Sequence, residues 1–264
     1  MSKDRIIFLG TAGARFVVTR QIRASGGLWL TLDETNIFID PGPGALVKCR
    51  SRKEKLDPRH LDGIILSHKH LDHSNDINVM IEAMTEGGFK PKGTVFAPAD
   101  ALNEDPVILK YVRSYVDAIR VLKVGETYSL GNITFTAPVR HDHGDVETYG
   151  INFFGSKRSV SYITDTKYFP ELGQLYRGDV LIISVVRLEP SPYNHLCVDE
   201  VRRIIEEVRP KAAILTHFGM TMIQAKPWEI ADRLSRETGL NVLAARDGMT
   251  FDLDQPGPGK MLQV

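Results

Sequence analysis

Ile64-Ile-Leu-Ser-His-Lys-His-Leu-Asp-His73 is the stretch on which the reading of this chain turns. Its apolar run, Ile64 to Leu66, has the character of a buried strand. Three histidines and one aspartate follow within six residues. Imidazole and carboxylate are the usual donors to zinc, iron and manganese. His68, His70, Asp72 and His73 therefore read as the first part of a two-metal site. His68 and His70, at i and i+2, point to the same side of an extended segment. Asp72 and His73 are adjacent and share no face of a strand or a helix. They need the loop after the strand, near the start of the next helix, to turn them toward one pocket.

Working outward, the 264 residues suffice for one large domain or two small ones. No linker or shift of composition marks a boundary, so residues 1–254 read as a single domain and residues 255–264 as a mobile tail. Lys+Arg and Asp+Glu are both 33, which gives no global pull toward nucleic acid or an anionic membrane. No apolar run approaches the roughly 20 residues needed to span a bilayer. The start, Met1-Ser-Lys-Asp-Arg-Ile, lacks the form of a signal peptide. Cys49 and Cys197 are far apart, which argues against a disulfide framework and favours a cytoplasmic location.

Strand patterns fall at residues 5–9, 28–32, 36–39, 61–66, 94–97, 118–122, 127–130, 133–137, 149–154, 159–164, 179–185, 212–215, 241–244 and 249–253. Helical patterns fall after Ala45 and at residues 76–84, 198–208 and 227–238, the last with Pro227 in its first turn. Residues 105–115 form a further helical patch, suited to cover the site or to meet a second copy of the chain. Arg15, Arg20 and Arg23 are placed in a loop after the first strand. Two runs of short strands with helices outside them predict an α/β (α+β) architecture, a four-layer αββα sandwich of two mixed sheets flanked by helices.

Seven of the eight histidines fall in four places: 68/70/73, 141/143, 195 and 217. Each place follows a strand pattern or lies in a loop, and Asp165 ends another strand. Ligands at strand ends on one rim of a sandwich can meet although far apart in sequence. His60 lies in a turn ahead of a strand and reads as a surface residue.

The sequence resembles the metallo-β-lactamase-fold hydrolases. Their HxHxDH signature is similar to His68-Lys-His70-Leu-Asp72-His73, their bridging aspartate to Asp165 in Thr-Asp-Thr, and their last histidine to His217 in Ile-Leu-Thr-His. The third histidine of the pattern falls on His141 or His143. His141 is favoured because it directly ends its strand, leaving His143 as a substrate contact, an alternative ligand or an exposed residue. The resemblance implies two divalent ions, zinc by default, with manganese and iron also tolerated by such donors. His68, His70 and His141 would hold one ion, and Asp72, His73 and His217 the other, with Asp165 between them. It also implies a hydroxide bridging the ions as nucleophile, and support of the ligand loops by Asp40.

Within that family the opening Phe8-Leu-Gly-Thr-Ala-Gly, then Arg20, and Asn194-His195-Leu-Cys before a helix look like the branch of tRNase Z and the phosphoribosyl cyclic phosphodiesterases. What this implies is a phosphodiesterase acting on a small phosphorylated or nucleotide-like substrate, with Asp72 and His195 as catalytic residues. Nucleic acid is not favoured, because no long arm is inserted and the charge is balanced. Asp76 stands where many relatives have glycine, a departure from the lactamase and glyoxalase branches. The alternatives are a hydrolase of a lactone, thioester or other carbonyl substrate, an iron redox enzyme, which His70 argues against, and a non-catalytic module, which the full ligand set argues against.

Overall fold

The computed structural model describes residues 3–103 and 105–255. In chain order, the first half holds β1 (Arg5–Phe8), α1 (Ala14–Thr19), β2 (Leu28–Leu32), β3 (Thr35–Ile39), α2 (Ala45–Ser51), β4 (Gly63–Ile65), α3 (Leu71–Ser74), α4 (Ile77–Met84), β5 (Thr94–Ala97) and β6 (Ala118–Val121). The second holds β7 (Thr127–Leu130), β8 (Ile133–Thr136), β9 (Ile151–Phe154), β10 (Ser159–Ile163), α5 (Leu172–Leu175), β11 (Val180–Ser184), α6 (Val198–Val208), β12 (Ala212–Thr216), α7 (Met220–Gln224), α8 (Pro227–Thr238), β13 (Val242–Ala244) and β14 (Thr250–Asp252).

The strands form two seven-stranded sheets, ordered β14-β1-β2-β3-β4-β5-β6 and β13-β12-β11-β10-β9-β8-β7. Each mixes parallel and antiparallel pairs. The period-2 alternation of side chains decides which layer each residue enters. In β2, Leu28, Leu30 and Leu32 face the other sheet, whereas Trp29 faces the outer helices. In β12, Ala212 and Ile214 face inward and Ala213 and Leu215 outward. Both faces are apolar because both are covered, as expected of strands flanked by helices. The expected αββα sandwich is the architecture found.

Helices close the outer faces by the 3.6-residue repeat. Val198, Val201, Ile204 and Ile205 of α6 are buried against the second sheet. Ile77, Met80, Ile81 and Met84 of α4 are buried against the first. Glu200, in the first turn of α6, accepts a hydrogen bond from the Cys197 backbone N–H at 2.9 Å, satisfying a donor the helix leaves open.

Two expectations are corrected. Arg15 lies within α1, not in a loop. Of residues 105–115, only Lys110–Tyr115 is helical, and it is a 3-10 helix. The segment does not cover the site. Ile108 and Val112 are buried in the outer layer beside α4, and Asn78 of α4 clamps the segment through Val107 O and Leu109 N. The tail assigned to residues 255–264 lies outside the described residues from position 256 onward. Among the described residues, no helix is long and apolar enough to cross a membrane.

Candidate metal centre

Parallel strands set the site. β3 and β4 run side by side in the first sheet, and β10, β11 and β12 in the second. Their carboxyl ends meet on one rim, the common place for ligands in sheets of this kind. Asp40 follows β3, His68 and His70 follow β4, Asp165 follows β10, and His217 follows β12. The single turn of α3 solves the problem posed by Asp72 and His73, since it begins at Leu71 and carries both into the cluster.

Three groups of donors result, each with its atoms within 4.8 Å of one another: His68, His70 and His143; Asp72, His73, Asp165 and His217; and His143, Asp165 and His195. Asp165 is the hub. Its Oδ2 lies 3.2 Å from His217 Nε2, 3.6 Å from His73 Nε2, 3.6 Å from His143 Nε2 and 3.7 Å from His195 Nδ1. Asp72 Oδ2 approaches His217 Nε2 at 3.6 Å.

The surrounding bonds fix which ring nitrogen faces inward. His73 Nδ1–H donates to Asp40 Oδ2 at 2.9 Å, and His143 Nδ1–H to Asn194 O at 2.9 Å. Both rings thereby turn Nε2 toward the cluster. Asp40 also accepts from the Ser67 N–H, the Ser67 hydroxyl and the Tyr162 hydroxyl at 2.7, 2.7 and 2.9 Å. With its hydroxyl proton given to Asp40, Ser67 Oγ accepts from His68 Nδ1 at 3.0 Å. His68 Nε2 is left buried and without a partner, as are Asp165 Oδ1 and His195 Nδ1. Buried polar atoms without partners are costly. His68 belongs to one of the donor groups and Asp165 and His195 to another, and a cation in each fits as the missing partner.

The electrostatics agree. Burial holds the His68 imidazole well below the usual histidine range, so its lone pair is free. Burial also opposes charge on His73, but the Asp72 and Asp40 carboxylates outweigh it and raise that imidazole well above its ordinary value. Burial would raise Asp165, yet the neighbouring His217 and His195 hold its carboxyl well below the usual range.

The expectation for the third histidine is corrected. His143, not His141, joins His68 and His70. His141 turns away, with Nδ1 3.2 Å from Asp165 O and Nε2 accepting from the Tyr176 hydroxyl at 2.6 Å. His60 is exposed, as expected. Asp76, the departure from the glycine of relatives, accepts from the Leu46 N–H near the start of α2 at 3.3 Å. Sequence reasoning missed Tyr162, Tyr176 and the Asn194 carbonyl. Tyr162 was signalled by its place on the same strand as Asp165. The other two sit in irregular segments with no periodicity to mark them. Two glycines permit close backbone approach beside the cluster: a Cβ on Gly13 would strike His217 O, and one on Gly42 would strike Asp72 O.

A two-sheet sandwich with a rim cluster of six histidines and two aspartates defines the metallo-β-lactamase fold. The chain belongs to the beta-lactamase superfamily, whose domain profile matches residues 35–218. The uncharacterized protein MJ1374 of Methanocaldococcus jannaschii is 30% identical over 256 residues, covering 94% of each chain. The solved metallo-β-lactamase fold protein YhfI from Bacillus subtilis superposes with a TM-score of 0.78 at 20% identity, over 95% of this chain and 100% of that one. A diphosphatase from the PhnP family superposes with a TM-score of 0.69 at 21% identity, over 95% and 98%. At these identities the two structures share the fold with this chain.

Proposed function

We propose that the protein is a metal-dependent hydrolase, and that the bond it cleaves is a phosphodiester in a small phosphorylated or nucleotide-like molecule. The observation that carries this reading is the set of unpartnered buried donors around Asp165. His68, His70 and His143 would hold one ion. Asp72, His73 and His217 would hold a second, with Asp165 shared. Zinc suits this donor set first. Divalent ions at such a site lower the pKa of water to supply a nucleophile near neutral pH, and they polarise the scissile group.

The chain's own residues do the rest. Asp40 fixes the His73 ring, and Asn194 O fixes His143, so neither must reorganise as charge develops. His195 stands at the edge of the cluster, with Nδ1 3.7 Å from Asp165 Oδ2. The ring is placed there to protonate a leaving oxygen. The phosphorus reading rests on this fourth-wall histidine and on likeness to the branch in which such a histidine assists at phosphate.

Metal analysis of the purified protein, with turnover of bis-p-nitrophenyl phosphate beside lactone and thioester panels, tests the proposal. Diester hydrolysis should vanish in His68→Ala and fall about 100-fold in His195→Ala, the usual scale for a lost general acid. An inert diester beside brisk lactone or thioester turnover would move the reading to the carbonyl class.

A further inference from the structure

One strand beyond His217 the same rim holds a second cavity. β13 is parallel to β12, with Ala244 in register with Leu215, so Ala245 and Arg246 leave β13 on the side where His217 leaves β12. There a cavity of about 370 Å³ is lined by Arg23, Pro227, Trp228, Ala244, Ala245 and Arg246. Its volume lies in the range of small-ligand sites.

Its chemistry is uneven. Arg23 is half-buried and pinned, since Nη1 donates to Thr11 Oγ1 at 3.0 Å and to Ala245 O at 3.3 Å, and its guanidinium stacks over Phe218. Phe218 is the residue after His217. The Arg23 Nε and Nη2 make no hydrogen bond among the described residues. The Arg246 guanidinium is exposed and has no hydrogen bond or ion pair among the described residues. The nearby carboxylate, Asp247, is already engaged by Thr11 N–H, Thr11 O–H and Ala24 N–H at 2.9, 2.7 and 2.7 Å. Two cations therefore face the cavity with donors to spare. Trp228 adds an indole that is 47% exposed, a costly surface to leave in water at the start of α8. Paired guanidiniums beside an open indole suit a flat ring that carries an anionic group.

We propose that this cavity binds the base-and-phosphate end of a nucleotide, holding part of the substrate away from the metal centre. The proposal deepens the reading above and rests on it for the bond that is cleaved. The indole takes the ring and Arg23 and Arg246 take the phosphate.

The test is titration of AMP into the purified protein with its metal in place, followed by tryptophan emission. Trp29, the only other tryptophan, is 3% exposed, so the signal reports Trp228. AMP should quench emission saturably. Adenosine, benzoate and inorganic phosphate should each bind about tenfold more weakly or worse. By calorimetry, Arg246→Ala and Trp228→Ala should each weaken AMP by about fivefold or more, and His68→Ala should leave AMP binding in place. Both substituted side chains at the cavity are exposed, so folding is preserved. AMP affinity unchanged in Arg246→Ala and Trp228→Ala, or lost in His68→Ala, overturns the cavity as the site. Phosphate binding as tightly as AMP overturns the nucleotide assignment. An inert diester with AMP binding intact sinks the proposed reaction and leaves the cavity standing.

Discussion

Asp40 faces no substrate, yet it orders the centre. Four donors end on its carboxylate: the Ser67 N–H and O–H, His73 Nδ1 and the Tyr162 hydroxyl. Asp40→Ala strands all four in a buried setting, and urea denaturation should show a loss of roughly 3 kcal/mol or more. Metal affinity should fall with it, because the His73 ring loses its orientation. The cysteines respond to a different force. Burial pushes the Cys49 thiol up to about 12, and it raises Cys197 as well. Neither should react with Ellman's reagent at pH 8 in the folded protein, and both should react in denaturant. The contribution of neutral Cys49 to stability is full below about pH 9, the unfolded value, and is lost as pH rises toward about 12. Residue by residue, His68, His70, Asp72, His73, Asp165 and His217 were legible because each follows a strand or sits inside a dense motif. The choice between His141 and His143 was not. Two residues apart, they share a face of any extended segment, and the decision falls to Tyr176 and the Asn194 carbonyl, both distant in sequence.

At the scale of elements, the loop after β3 and the turn of α3 are held in backbone contact. A Cβ on Gly42 would strike both Asp72 O and Ser25 O. Gly42→Ala must therefore displace α3, and with it Asp72 and His73. Gly44, two residues on, has φ +84 and open space around its missing Cβ. Gly44→Ala should cost about 1 kcal/mol in backbone strain and leave the ligands in place. Metal content after dialysis separates the two: reduced in the first variant, unchanged in the second. Equal metal content would show that α3 tolerates the intrusion. Strong periodicity made β2, β5, β7, α6 and α8 readable to within a residue. The short elements were not: α1, α5 and α7 carry too few turns for a repeat to stand out. Residues 105–115 misled because Ile108 and Val112 keep helical spacing while the chain follows the outer surface of α4 instead.

For the whole molecule, the two sheets face each other across the rim with side chains that want a cation. The first sheet supplies His68, His70, Asp72 and His73, and the second Asp165 and His217. Bound metal should therefore stabilise the sandwich as a unit. At a thousandfold excess over Kd, one ion adds about 4 kcal/mol, or roughly 10 °C in Tm for a chain of this size. Scanning calorimetry with and without a chelator measures it, and an unchanged Tm would mean the ligands do not bridge the sheets energetically. A different consequence follows from the outermost pairing of the first sheet. β1 is flanked by β2 on one side and by β14 on the other. During synthesis one flank of β1 has no neighbour until β14, far along the sequence, has left the ribosome. A nascent chain stalled short of Thr250 bares a row of unsatisfied amides, open to pairing with another molecule. For this protein, then, quality control on the ribosome must guard its earliest strand until its latest one emerges.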